Sequence, residues 1–240
     1  MRHLFVSDLH LDASTPQANA AFLRFLTDEA RSARSLFVLG DLFETWIGDD
    51  DDDPAREAIC RGLAALAASG VDVAVMHGNR DFLYGPQFER RTGARVLPDP
   101  SVLTLCDRRI LLCHGDLLCT GDHAYQELRS TVRDTAFRDR LQSLSRTERR
   151  WLADAARAGS RAHVRSTRAE LMDVDTTAVL AAFEATGTRE LVHGHTHRPG
   201  EHDYAIGGET ATRHVLDVWD ERGGFLELSP AGWRRGSVNF

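Results

Sequence analysis

Residues 73–81 read VAVMHGNRD. The apolar run Val73, Ala74, Val75 and Met76 fits a strand buried on both faces, and it stops at once in His77, Gly78, Asn79, Arg80 and Asp81. Such a strand delivers an imidazole, an amide, a guanidinium and a carboxylate to one point. Their partners lie elsewhere in the chain.

Working outward, strand patterns recur at His3–Val6, Leu36–Leu39, Val71–Met76, Val102–Leu105, Ile110–Cys113 and Glu190–Val192. Between the early ones, apolar residues fall at three- and four-residue spacing over 15–32 and 54–69, which predicts helices. This βαβαβ order predicts a mostly parallel sheet with helices on its faces. The runs 102–105 and 110–113 read as a hairpin turning through Asp107-Arg108. Residues 123–170 are polar, Arg-rich and helical, and read as an insertion, or cap, within a single domain spanning 1–240. Strand character then returns at His214–Val218, Phe225–Leu228 and Gly236–Phe240, with Gly207-Gly208 and Gly223-Gly224 as turns.

No apolar run approaches the roughly 18 residues of a membrane span. An acid at position 8 and the lack of a small-residue cleavage site argue against a signal peptide. Cys60, Cys106, Cys113 and Cys119 form no CxxC pair and read as reduced, buried thiols of a cytoplasmic protein. The net charge of −7 is unevenly spread: residues 127–170 carry +5 and the remainder −12. Every basic side chain is Arg. A GC-rich genome accounts for the absence of Lys but not for the clustering, which points to an anionic ligand or membrane surface.

Five polar clusters follow apolar runs: Ser7-Asp8-Leu9-His10, Gly40-Asp41, Gly78-Asn79-Arg80-Asp81, His114-Gly115-Asp116 and His193-Gly194-His195-Thr196-His197. In an open α/β sheet the carboxyl ends of strands share one edge, where ligands bind. Asp8, His10, Asp41, Asn79, His114, His195 and His197 would there offer oxygen and imidazole donors without a thiolate, a set suited to Mn, Fe or Zn. They are too many for one tetrahedral ion and suit two ions about 3.5–4 Å apart. Asp41 is the natural bridge, because a carboxylate has two oxygens. Taken singly, each DxH or GxHxH is more commonly a turn or a core histidine, and the joint placement decides for metal. His193 reads as structural. Asp49–Asp53 reads as a solvated or capping run, and Asp81 and Asp116 as groups that orient neighbouring ligands. Trp46, Trp151 and Phe82 read as packing residues.

Asp8-x-His10, Gly40-Asp41, Gly78-Asn79-x-Asp81, His114-Gly115-Asp116 and Gly194-His195-x-His197 resemble, in order, the motifs of the calcineurin-like metallophosphoesterases. SDLHL, GDLFETWIGDDD, HGNRDFL, HGDLLCTGD, MDV and HGHTHRP resemble the branch that hydrolyses UDP-2,3-diacylglucosamine in lipid A synthesis. The resemblance implies an α/β-β/α sandwich with a helical cap, and two divalent ions, manganese foremost. One ion would take Asp8, His10, Asp41 and His197, and the other Asp41, Asn79, His114 and His195. Substrate contacts are implied at Asn79, Arg80, Asp122, Ser160, Val164, Thr167 and His195, with Asp41, Asn79, Arg80, His114 and His195 as the catalytic group. Val164 and Thr167 depart from the polar or lysine residues of the branch, and Arg165 or Arg168 offers a replacement. The implied reaction is attack of a metal-held hydroxide on the α-phosphorus, releasing UMP and 2,3-diacylglucosamine 1-phosphate (lipid X). The implied setting is a monomer in the cytoplasm, peripheral to the anionic inner membrane, with no nucleic-acid partner. Another dimetal nucleotide pyrophosphatase or phosphodiesterase of the same fold is the alternative.

Arg80 favours a diphosphate. Many members of the superfamily carry histidine after the Asn, able to protonate a leaving alkoxide. A guanidinium stays charged and instead grips phosphate oxygens bidentately. A phosphate leaving group, with a second pKa of about 6, departs without that proton. The insertion supplies Leu128, Val132, Phe137, Leu141, Leu144, Trp151 and Leu152 as an apolar groove for acyl chains, with arginines on its outer surface.

Overall fold

The run at 73–76 lies inside a six-stranded sheet. The computed structural model describes residues 1–166 and 173–240. In the first sheet, β1 (His3–Val6), β2 (Ser35–Val38), β3 (Asp72–Met76) and β4 (Arg95–Leu97) run parallel. Next to β1 lie β10 (Gly223–Ser229) and β11 (Gly232–Val238), each antiparallel to its neighbour. The second sheet has the order β5 (Ser101–Leu105), β6 (Arg108–Leu112), β7 (Glu190–His193), β9 (Glu209–Val215), β8 (Gly200–Ile206). Its inner strands β6, β7 and β9 are parallel, and the edge strands β5 and β8 are antiparallel.

Alternation along the strands builds the layers. Phe5, Phe37, Ala74 and Met76 point between the sheets and pack with Ile110, Leu112, Val192 and Leu216. Leu4, Val6, Leu36, Val38, Val73 and Val75 point the other way, into a core shared with α1 (Pro16–Asp28), α2 (Pro54–Ala68) and α3 (Pro86–Thr92). On the second sheet Leu111, Cys113 and Leu191 pack against Val179 and Phe183 of α7 (Thr176–Thr186). The result is the helix–sheet–sheet–helix sandwich expected, with all strand ends that carry polar clusters along one edge.

Between β6 and α7 the chain forms α4 (His123–Arg133), α5 (Thr135–Gln142) and α6 (Arg146–Ser166). Asp122 and Asp134 cap the first two, accepting the N–H of Tyr125 and of Phe137. Neither α4 nor α5 contains a buried residue, so their apolar side chains line a surface and not a core of their own. Among the described residues, no helix is long and apolar enough to cross a membrane.

Several expectations need correction. The β5–β6 turn is Cys106-Asp107, with φ of 49° and 61°, because a two-residue hairpin loop of this type needs two left-handed residues. Gly223-Gly224 opens β10 and forms no turn; Trp219 Nε1 donates to the Gly224 carbonyl at 2.9 Å. Trp151 is 69% exposed and is not a packing residue. The elements α3, β4, β8 and α7 escaped the periodicity: the first two span 7 and 3 residues, and β8 (GEHDYAI) is half polar.

Candidate metal centre

Five candidate ligands stand in left-handed backbone: Asp8, His10, Asp41, His195 and His197, with φ between 49° and 66°. Each costs on the order of 1 kcal/mol for a residue other than glycine. The turns fold the chain back at the ends of β1, β2 and β7, so that residues just past each strand point into one space. The turns are tied together: Leu9 N–H and His10 N–H both donate to the Asp41 carbonyl, at 2.9 and 3.0 Å. Two glycines permit this closeness. A Cβ on Gly78 would lie 2.0 Å from Asp41 Oδ1, and one on Gly194 would lie 2.1 Å from Asp8 Oδ2.

The donors converge. His10 Nε2 and His197 Nε2 face each other at 3.4 Å, and His197 Nε2 lies 3.6 Å from Asp8 Oδ1. Asp41 Oδ2 stands between two imidazoles, 4.0 Å from His10 Nε2 and 3.9 Å from His114 Nε2. Asn79 Oδ1 lies 3.0 Å from His114 Nε2 and 3.2 Å from His195 Nδ1. Asp8, His10 and His197 form one group able to hold an ion, and Asp8, Asp41 and His114 another.

These residues fit divalent cations. Asp8 Oδ1 is buried without a hydrogen-bond partner, whereas Oδ2 accepts from Ser7 Oγ and from the His195 N–H. His114 Nδ1 donates to the Leu39 carbonyl at 2.9 Å, which leaves Nε2 bare toward Asp41 and Asn79. Burial opposes charge on His114, but the carboxylates of Asp41, Asp116, Asp8 and Asp99 outweigh it and lift its pKa to about 9. Burial likewise opposes charge on His10, yet the Glu44 hydrogen bond and the nearby aspartates raise its pKa. Ligands hold a metal ion in their deprotonated form, so ion binding at these histidines would displace any proton they carry.

A buried ring of acceptors surrounds the donors. Asp81 accepts the N–H groups of Asp41, Gly78 and Phe43, and the Tyr84 hydroxyl. Burial, followed by the Asp41 charge, raises its pKa to about 6. His193 is buried away from the donors: Nδ1 donates to the Gly194 carbonyl and Nε2 meets Arg213 at 3.1 Å. Burial, then the Arg213 charge, lowers its pKa to about 3. Within Asp49–Asp53, Asp53 caps α2, and Asp49 accepts the Gln87 and Phe88 N–H groups at the start of α3.

A cavity of about 550 Å³ opens from this edge into the insertion. Asn79, Arg80 and Glu44 stand at its polar end, and Leu128, Val132, Phe137, Leu141 and Leu152 form its apolar wall. Leu144 and Trp151 do not line it. Ser160 does, while Asp122 is buried as the cap of α4. Val164 lies near the end of α6, where its side chain is outside the described set, and Thr167 is outside the described residues. Arg165 falls with Val164 and Arg168 with Thr167.

The sequence reading missed Glu44. It pairs with His10 Nδ1 at 3.1 Å and stands 3.9 Å from Arg80 Nη1, joining a candidate ligand to the candidate clamp. Its one signal was its place in GDLFETW, after Asp41. Arg129, Arg133 and Arg149 read as outer surface, but they turn inward to buried partners. They leave fewer arginines facing solvent than the local charge of +5 suggests.

Comparison with known proteins agrees with this geometry. The profile of the family described as calcineurin-like phosphoesterase matches residues 1–199. A protein of Stenotrophomonas maltophilia named UDP-2,3-diacylglucosamine hydrolase is 45% identical over 240 residues, covering 97% of each chain. Proteins of the same name from Pseudomonas aeruginosa and Salmonella arizonae are 45% and 43% identical, covering 98% and 96% of each chain. A solved archaeal phosphodiesterase shares the fold, with a TM-score of 0.50 at 10% identity over 99% of both chains.

Proposed function

The chain belongs to the calcineurin-like phosphoesterase family, and from that premise we propose that it hydrolyses the diphosphate of UDP-2,3-diacylglucosamine, releasing UMP and 2,3-diacylglucosamine 1-phosphate. One observation carries the reading to a lipid substrate: the cavity joins Asn79 and Arg80 at one end to an apolar wall of α4, α5 and α6 at the other. A diphosphate bearing two acyl chains needs both ends. Relatives of that name, matched over nearly the whole chain, support the same substrate.

Asp8, His10, Asp41 and His197 would hold one divalent ion, and Asp41, Asn79, His114 and His195 the other. When bound, the ions supply an activated water and neutralise phosphate charge. The donors, oxygen and imidazole nitrogen without thiolate, suit Mn, Fe or Zn, and we take manganese among them on the family resemblance. Arg80 lines the cavity, and its Nε is buried without a hydrogen-bond partner; its guanidinium is the group proposed to grip a phosphoryl oxygen. Glu44, which lines the same end, pairs with the guanidinium at 3.9 Å. Arg80 thus stabilises charge that grows on the phosphoryl oxygens, and cannot protonate the leaving group. The departing sugar phosphate needs no such proton. Ser160 is a proposed contact along the same cavity, and Asp122, at the cap of α4, a proposed contact beside it. The enzyme would work as a monomer at the inner face of an anionic membrane, reached through the exposed Trp151 and neighbouring Arg150 of α6.

Hydrolysis in oxygen-labelled water tests the direction of attack. Label in the phosphate of UMP is expected. Label in the sugar phosphate instead would overturn the assignment of the attacked phosphorus.

A further inference from the structure

On α4, Tyr125, Arg129 and Arg133 recur at four-residue spacing and share one face. That face meets two buried carboxylates that bracket His114. Tyr125 donates its hydroxyl hydrogen to Asp116 Oδ2 at 2.9 Å, and Arg129 Nε lies 3.1 Å from Asp116 Oδ1. Arg129 and Arg133 also reach Asp99 Oδ2, at 3.2 and 3.4 Å, while Asp99 Oδ1 accepts the His114 N–H at 3.0 Å. Arg133 donates in addition to the His77 carbonyl at 3.0 Å. The insertion is therefore fastened to the strand ends that carry His114 and Asn79.

The Tyr125 ring, so held, lies against His195. Its centroid is 5.5 Å from that of His195, at an interplanar angle of 35°. His114 packs on His195 at 5.0 Å and 67°. His195 stands in a left-handed turn with φ of 66°, and Asn79 Oδ1 meets its Nδ1 at 3.2 Å. Its ring is thus gripped between a fixed jaw, His114, and a second jaw that belongs to the insertion.

We propose that Tyr125, locked by Asp116, is a positioning residue for His195, so that helix α4 of the insertion belongs to the frame of the metal centre. A loose imidazole loses affinity for an ion because its orientation must be fixed on binding. The inference rests on the dimetal reading. It differs from a role of Tyr125 as cavity wall, which its place among the lining residues also allows. A wall residue acts on the lipid substrate alone, whereas a positioning residue acts on the ion and on every substrate.

The test uses the full chain, stripped with chelator and titrated with Mn²⁺, as wild type and as Tyr125→Phe, Tyr125→Leu and Tyr125→Met. Two bound ions are expected in the wild type; their absence would overturn the dimetal reading and this inference with it. Tyr125→Leu should weaken one of the two ions by about 10-fold or more, the scale of losing a group that orients a ligand. It should also lower kcat on bis-p-nitrophenyl phosphate, with KM nearly unchanged. Tyr125→Phe keeps the ring but loses the hydrogen bond to Asp116, and its affinity should fall between those of Tyr125→Leu and the wild type. Tyr125→Met serves if the leucine variant does not fold, and a loss of fold in both would overturn the proposal in favour of a purely structural tyrosine. Wild-type Mn²⁺ affinity in these variants, with only the KM for the diacylated substrate raised, would overturn it in favour of the cavity wall.

Discussion

The buried Asp81 carboxylate accepts the backbone N–H of Asp41 at 3.2 Å. The same carboxylate accepts from Gly78, Phe43 and Tyr84, so one side chain fastens the turn after β2 to the turn after β3. Asp81→Asn would aim an amide N–H at these donors. The expected cost is about 2–4 kcal/mol of stability, since buried donors lose their acceptor. Denaturant unfolding measures it, and an unchanged midpoint would remove Asp81 from this role.

Asp41 stands almost equally far from His10 and His114. Asp41→Ala should abolish activity and empty both ion positions. Counting bound Mn²⁺ checks this; two retained equivalents would rule out a shared carboxylate.

Much of the site was legible in the sequence because the polar clusters that hold the donors follow directly on apolar runs. Asp8, Asp41, Asn79, His114 and His195 could be placed on one edge from that rule alone. The left-handed turns that aim them could not, since φ above zero leaves no mark on residues other than glycine. Leu128, Val132 and Phe137 were legible as groove-lining residues from their apolar character in a polar insertion. Trp151 did not show that it faces outward, because the direction of α6 depends on tertiary contacts. Arg129 and Arg133 looked like solvent charges, and only the fold places Asp99 and Asp116 beneath them.

Arg80→His should lower kcat on the diphosphate by about 10²-fold or more, the scale of losing one transition-state contact. Arg80→Lys should recover only part, because an ammonium offers a point charge in place of a fork. Steady-state kinetics on the diacylated substrate decides, and near-wild-type kcat for the histidine variant would remove the clamp.

The far end of the insertion is held differently. Arg149 of α6 is almost fully buried, donates to the Ile47 carbonyl at 2.5 Å and binds Asp50 through two nitrogens. Asp50→Asn should raise KM for the diacylated substrate several-fold and leave bound metal unchanged, because Arg149 and Leu152 wall the cavity. The hydrogen bond from Arg149 holds the Asp50 carboxyl below its usual range. Its stabilising contribution is therefore full at neutral pH and lost as pH falls through that lowered value. Melting curves of wild type and variant should converge in acid, and a gap that persists there would contradict the pairing.

The central claim is tested most directly by incubating the purified protein with UDP-2,3-diacylglucosamine and measuring UMP. The account predicts equal amounts of UMP and 2,3-diacylglucosamine 1-phosphate, release that stops with chelator and resumes with Mn²⁺, and little phosphate from p-nitrophenyl phosphate. Brisk release from that monoester, with no UMP from the diacylated substrate, would contradict it.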